Sequence, residues 1–229
     1  MILAIAAALA AAAPAATPCP ETVTSQALVC RALDAQKGGN PAAAAQAFEE
    51  AAKTSPANEP ATARMWAAAG NLWLVAKQPG KAALALDKAL SGTGLKAEQR
   101  GEALLDRARV AEAQNDLKTA RARLNEAAQT ISGDPFYWYF SAALAMREND
   151  SATAQTAIGK ALSLAPSDAT ILFEAGHIAF STGDEDKARS YWMRAAGSDP
   201  RGDVGRAAAK AVEMLGVTPT VKTDPAPVK

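Results

Sequence analysis

The chain has 229 residues, 49% of them apolar, with Lys plus Arg and Asp plus Glu at 24 each and one His. That length buries one good core or two small ones, and an alanine-heavy composition poor in β-branched and aromatic side chains favours closely packed helices. Zero net charge gives no electrostatic footprint for nucleic acid or an anionic lipid surface, and a single His leaves metal ligation very little to work with.

Residues 1–16, "MILAIAAALAAAAPAA", carry no charged side chain. The stretch is too short and too Ala-rich for a membrane span, which needs about 20 strongly apolar residues. It fits the apolar region of a secretory signal, and "PAA" at 14–16 offers a small-x-small cleavage site after Ala16. No Lys or Arg precedes it, so either the amino terminus alone supplies the charge or the true start lies upstream. A non-cleaved Ala-rich helix is the alternative reading. Export places the mature chain in the periplasm or outside the cell, with no membrane insertion after cleavage. An N-terminal segment, 17–24, follows. It holds Cys19, and Cys30 lies eleven residues on. An even count behind an export signal predicts a Cys19–Cys30 disulfide closing a short loop, with two partly buried thiols as the alternative. The spacing is unlike a CxxC redox or zinc motif. Cys19 does not follow a lipobox-like Leu-Ala-Gly, so lipid attachment is not expected.

From residue 25 onward the chain repeats itself. The first copy starts at Ser25, with Leu28, Ala32, Ala35, Ala44, Phe48, Ala51 and Pro56 at positions 4, 8, 11, 20, 24, 27 and 32. The second starts at Ala63, with Trp66, Gly70, Trp73, Ala82, Leu86 and Ala89 in the same places. Three contiguous copies follow at a spacing of 34, from Gly101, Pro135 and Ala169. They place Leu104, Trp138 and Leu172 at position 4, and Ala108, Ala142 and Gly176 at position 8. Ala120, Ala154 and Ala188 fall at position 20, and Leu124, Ile158 and Trp192 at position 24. The first two intervals are 38 residues, and the additions "EPAT" (59–62) and "AEQR" (97–100) are each close to one helical turn. An extra turn at the start of the next helix keeps the buried face in register; a longer loop is the competing reading. Turn signals occur at "KGGN" (37–40), "QNDL" (114–117), "ENDS" (148–151) and "TGDE" (182–185), where Gly or Asn can take the left-handed conformation that ends a helix.

This pattern of large, small, large, Ala, aromatic, Ala and Pro resembles the tetratricopeptide repeat, over about residues 25–202. The resemblance implies an all-α, right-handed α-solenoid of helix-turn-helix repeats, with boundaries 25–58, 63–96, 101–134, 135–168 and 169–202. Small residues at positions 8 and 20 should meet where the two helices of a repeat cross, as Gly176 and Ala188 would in the fifth. After Gly202, "DVGRAAAKAVEMLG" puts Ala207, Ala208, Ala211, Val212 and Leu215 on one apolar stripe, which predicts a capping helix over 203–216. Residues 217–229 hold three prolines and few large apolar groups, so a disordered tail is expected.

The densest aromatic run, "DPFYWYF" at 134–140, opens the first helix of the fourth repeat. Asp134 reads as its N-cap and Pro135 as its first residue. A helix points the five rings in different directions. Trp138 is expected in the core and Tyr137 against the preceding repeat. Trp66, Trp73 and Trp192 also occupy framework positions.

In the family, positions 2, 5, 9, 12 and 13 of each first helix line the concave surface. The resemblance therefore implies a partner-binding groove holding Arg64 and Asn71 from the second repeat and Leu105 and Arg109 from the third. The fourth adds Phe136, Tyr139 and Met146, and the fifth Phe173, His177 and Phe180. Packing against the cap or a neighbouring repeat is the alternative for the aromatics. Some family members grip a C-terminal carboxylate with a Lys/Asn/Arg clamp. Here Asn71 and Arg109 occupy position 9, but Ala67, Ala68, Asp106 and Tyr139 stand at the other clamp positions, so an apolar groove is expected.

No catalytic residue, metal ligand or cofactor is assigned. His177 has no nucleophile paired with it by motif. Glycan chemistry would need paired carboxylates across a cleft, and Glu102, Glu112 and Glu174 are as expected on solvated helices. "GDEDK" (183–187) lacks the ligand spacing of a calcium loop. The expected function is a non-enzymatic interaction scaffold of the bacterial cell envelope that binds a protein or peptide in its groove. A permanent subunit of an envelope complex, or self-association, is the competing reading.

Overall fold

The computed structural model describes residues 18–216. The signal sequence read at 1–16 and the tail read at 217–229 lie outside them. Eleven helices make up the described residues: α1 (Ser25–Lys37), α2 (Pro41–Thr54), α3 (Pro60–Val75), α4 (Pro79–Ser91), α5 (Ala97–Ala113), α6 (Leu117–Ile131), α7 (Pro135–Arg147), α8 (Ser151–Leu164), α9 (Ala169–Ser181), α10 (Glu185–Ser198) and α11 (Asp203–Gly216). No strand is present among these residues. Consecutive helices pack in pairs, each pair stacks on the next, and α3 lies beside α5, α7 beside α9 and α9 beside α11. The result is an all-helical solenoid. Of the two additions, residues 97–100 are the first turn of α5, and 60–62 begin α3 behind the extended N-cap Glu59. α3 and α5 run for 16 and 17 residues, against 13 for α1, α7 and α9.

One turn recurs five times. The N–H groups of Asn40, Gln78, Asp116, Asp150 and Asp184 donate to the carbonyls of Ala35, Trp73, Ala111, Ala145 and Ala179 at 2.8–2.9 Å. The residue before each donor is left-handed: Gly39, Lys77, Asn115, Asn149 and Gly183. This arrangement satisfies carbonyls that the end of a helix would otherwise leave unpaired. In four of the five turns the donor then caps the next helix. Asn40, Asp116, Asp150 and Asp184 accept from the N–H of Ala43, Thr119, Thr153 and Lys187. Gln78 makes no such cap bond, and Pro79 starts α4 instead. Sequence signals pointed to the other four turns. Lys77 has neither the Gly nor the Asn that marks a left-handed residue.

Small residues let the paired helices approach. Ala32, Ala44, Ala108, Ala120, Ala142 and Ala154 expose no surface. Where position 8 is Gly, a large neighbour fills the space. A Cβ at Gly70 would lie 2.5 Å from Leu86 Cγ, and one at Gly176 would lie 2.2 Å from Trp192 Nε1. At the expected Gly176–Ala188 crossing, the Trp192 indole is the nearest neighbour of Gly176. Ala188 is itself fully buried.

The ends are closed differently. At the C-terminus, Ala208 of α11 is buried and Ala211, Val212 and Leu215 pack beside Leu172 and Trp192. Ala207 faces solvent, so the stripe runs through Gly205 and Ala208. At the N-terminus, Cys19 and Cys30 form a disulfide with Cα atoms 5.7 Å apart. Arg31 donates to the Pro20 and Thr22 carbonyls at 2.6 and 3.2 Å, tying the same segment to α1. Cys19, Cys30 and Asp34 bring metal-ligand atom types together. With the two sulfurs joined, no thiolate is available to bind an ion. Thiol labelling of the protein from an oxidising compartment, under denaturing and non-reducing conditions, will find no free cysteine; two reactive thiols would contradict the bridge.

Candidate functional site

The first helices of three successive pairs enclose a cavity of about 460 Å³. Ala67, Ala68 and Asn71 come from α3, Glu102, Leu105, Asp106 and Arg109 from α5, and Phe136 from the start of α7, with Arg64 at the rim. The two alanines contribute only methyl groups to its floor. Five groove residues implied by the resemblance, Arg64, Asn71, Leu105, Arg109 and Phe136, therefore share one hollow. Leu105 is only 5% exposed and belongs to the core, so it forms floor and offers no projecting side chain.

The polar groups of this hollow are joined through Asp106. Its carboxylate accepts from Asn71 Nδ2 and from an Arg109 guanidinium nitrogen, each at 2.8 Å. The same guanidinium sits 5.5 Å from the Phe136 ring centroid, a cation–π contact. The two position-9 residues, Asn71 and Arg109, are thus occupied by an internal carboxylate. Asp106 stood in the sequence only as a residue that breaks the clamp pattern. Its position three residues before Arg109, on the same helix face, was the available signal.

The aromatic run divides, along a different line from the expected one. Asp134 accepts from the Phe136 N–H at 2.9 Å and caps α7 as expected. Tyr137 and Phe140 are the buried rings, at 4% and 8% exposure. Trp138 is only half-buried. Its Nε1 donates to the Ser132 carbonyl at 2.7 Å, Lys160 lies 5.5 Å from its ring, and it meets Tyr137 edge-on at 5.0 Å. Position 4 of the 34-residue repeat singled out Trp138, whereas Phe140, two residues on, is the ring buried against Leu104 and Leu124 of the preceding pair. Phe136 is 39% exposed and meets Tyr139 at 5.4 Å. Tyr139 is half-buried between two core clusters, and burial raises its phenol pKa. It packs against the core and does not itself line the hollow.

The remaining residues lie further along α7 and on α9 and do not line the hollow. Met146 packs partly into the core, and Ser181 reaches towards its sulfur at 4.0 Å. His177 lies between Phe173 at 4.5 Å and Trp192 at 5.3 Å, and partial burial lowers its pKa. Phe180 is 48% exposed beside Trp192 at 5.9 Å. Phe173 packs partly with the cluster that includes α11, as the alternative reading allowed. Further along, Arg147 donates to Glu112 and Asn115, and Arg121 pairs with Glu148 at 2.5 Å, bridging adjacent pairs.

With this geometry in view, a family model for the tetratricopeptide repeat matches residues 31–96 and 141–203, more than half of the chain. The chain belongs to the tetratricopeptide repeat family, a class of helical interaction scaffolds that are typically not catalytic. No curated protein sequence matches it. Among solved structures it is similar to PilW, a widely conserved type IV pilus biogenesis factor, with a TM-score of 0.67 and 19% identity over 81% of this chain and 82% of that one. PilF of Pseudomonas aeruginosa gives 0.65 and 17%, over 82% of each chain. YrrB, a TPR protein with an unusual peptide-binding site, gives 0.57 and 17%, over 81% of this chain and 92% of that one. At these identities the likeness is one of fold. No helix among the described residues is long and apolar enough to cross a membrane.

Proposed function

We propose that the chain is an exported scaffold of the bacterial cell envelope that binds a segment of a partner protein along the hollow between α3, α5 and α7. The observation that carries this reading is the hollow itself: three successive first helices present an alanine floor beside an exposed aromatic ring, with Arg64 at the rim. Such a surface suits an extended or helical segment. The apolar 1–16 stretch and the Cys19–Cys30 bridge support export, because disulfides persist in oxidising compartments. YrrB supports the use of this fold for peptide binding.

A photo-cross-linking amino acid in place of Phe136 tests the proposal in cells. It should capture a distinct partner. The same probe at Leu84, exposed on α4, should not. Changing Arg64 and Phe136 together to Ala should abolish the wild-type partner's co-purification and leave helicity intact, since both side chains project from the fold. Equal capture from both probe sites, or a double variant that keeps its partner, would place the binding surface elsewhere.

A further inference from the structure

The hollow between α3, α5 and α7 has a neighbour. A second hollow of about 700 Å³ lies on the α1 side of α3. α3 packs beside α5, but α1 does not approach α3 in the same way, and the second hollow fills the space between them. Val29 of α1, Phe48 of α2 and Ala61 and Met65 of α3 line it with apolar surface. Phe48 and Met65 are buried and form its floor. Its hydroxyls are engaged within the fold: Ser55 donates to Ser25 at 2.9 Å, Ser25 to the Met65 sulfur at 3.6 Å and Thr54 to the Ala51 carbonyl at 3.0 Å. What this space offers a guest is therefore mainly apolar contact.

The two hollows form one trough, because Arg64 and Ala68 line both. Each is walled in part by one of the four-residue additions. Glu59 and Ala61 of "EPAT" line the second hollow, and Gln99 of "AEQR" lines the first. The longer spacing therefore adds wall to the trough as well as length to α3 and α5. Four carboxylates line it, Glu59, Glu102, Asp106 and Asp134, against two guanidiniums, Arg64 and Arg109. Asp106 and Arg109 neutralise each other, and Asp134 caps α7. Glu59, Arg64 and Glu102 are exposed and have no ion-pair partner among the described residues. The trough is thus negative in a chain whose net charge is zero. Exposed charges of this kind select a partner and guide its approach more than they add affinity, and here they favour a basic one. The affinity itself comes from apolar surface taken out of water.

We infer that a single partner segment occupies both hollows, seating a large apolar side chain between α1 and α3 and carrying basic residues towards Glu59 and Glu102. This rests on the groove reading given above and names the chemistry of its occupant.

The experiment pans a phage-displayed library of random peptides, about twelve residues long, against the whole mature chain. Three variants run in parallel: Ala61→Phe, which fills the second hollow; Glu59→Gln with Glu102→Gln, which removes only charge; and Phe136→Ala. Circular dichroism and melting curves establish that each is folded. Wild-type protein should enrich peptides with a recurrent large apolar residue and neighbouring Lys or Arg. The strongest of these, made synthetically, should bind Ala61→Phe about ten-fold more weakly, as expected for a lost apolar anchor. Its counterpart with Ala at the apolar position should bind wild type and Ala61→Phe equally. The double Gln variant should bind about three- to ten-fold more weakly and with less dependence on salt. A peptide that needs Phe136 but is indifferent to Ala61→Phe, or to loss of the two carboxylates, overturns the inference and leaves the first hollow as the groove. A peptide that binds Phe136→Ala as well as wild type overturns the groove, and this inference with it. Self-association abolished by Ala61→Phe in sedimentation runs would make a second copy the occupant. Binding of a synthetic 217–229 peptide with the same dependence on these variants would make it the chain's own tail. Either result overturns the inference.

Discussion

Changing Trp192 to Ala lowers stability by about 3–5 kcal/mol, the usual cost of emptying a large buried aromatic site. Three observations put the effect at the top of that range. The indole is only 4% exposed. It lies directly over Gly176, where no side chain can expand to fill the vacated space. Its Nε1 donates to the Phe173 carbonyl at 3.1 Å, a bond lost with the ring. The reciprocal change, Gly176→Ala, brings a Cβ within 2.4 Å of indole atoms and costs about 1–3 kcal/mol through overpacking. The two changes act on one contact, so their effects will not add. In the double variant the new methyl occupies part of the cavity, and the loss should be smaller than the sum of the two single losses. Thermal and denaturant melts of the four proteins measure this. A Gly176→Ala variant that melts with the wild type would show that the helices are not held this closely and would undo the alignment of copies on which the repeat pattern rests.

Much of the fold was legible in the sequence because its physics is local and recurs. A left-handed Gly or Asn followed by Asn or Asp ends one helix and caps the next, and four turns carried that signature. The fifth, at Lys77, did not, because stacking of α3 against α4 imposes a backbone conformation that the residue itself does not favour. The four-residue additions were legible as helix because one turn preserves the buried face. The site was harder to read. Family positions brought Arg64, Asn71, Arg109 and Phe136 to one hollow, yet they also put Leu105 there as a contact and it became floor. A position in a repeat fixes the direction of the Cα–Cβ bond. How far the side chain projects depends on the neighbouring helix, which one repeat does not specify.

Changing Phe140 to Ala costs more than changing Trp138 to Ala, although Trp138 holds the large-residue position of its repeat. Phe140 is 8% exposed and packs in the cluster of Leu104, Leu124 and Leu144. Its removal should cost about 3–5 kcal/mol. Trp138 buries part of a larger ring, but one side faces Lys160 and water, and the cavity left by truncation opens to solvent. Loss scales with the apolar surface removed from water and with the void that cannot collapse, and an open void is filled by solvent. Its truncation should therefore cost about 1–3 kcal/mol, including the bond to Ser132. Denaturant melts of both variants, with Phe136→Ala as the exposed reference, provide the ranking. Phe136→Ala should stay within about 1 kcal/mol of the wild type, as for other projecting side chains. If Trp138 proves the costliest of the three, α7 is rotated from the orientation described here. Tyr139 and Phe136 would then turn with it, and the hollow beside α5 would lose its aromatic wall.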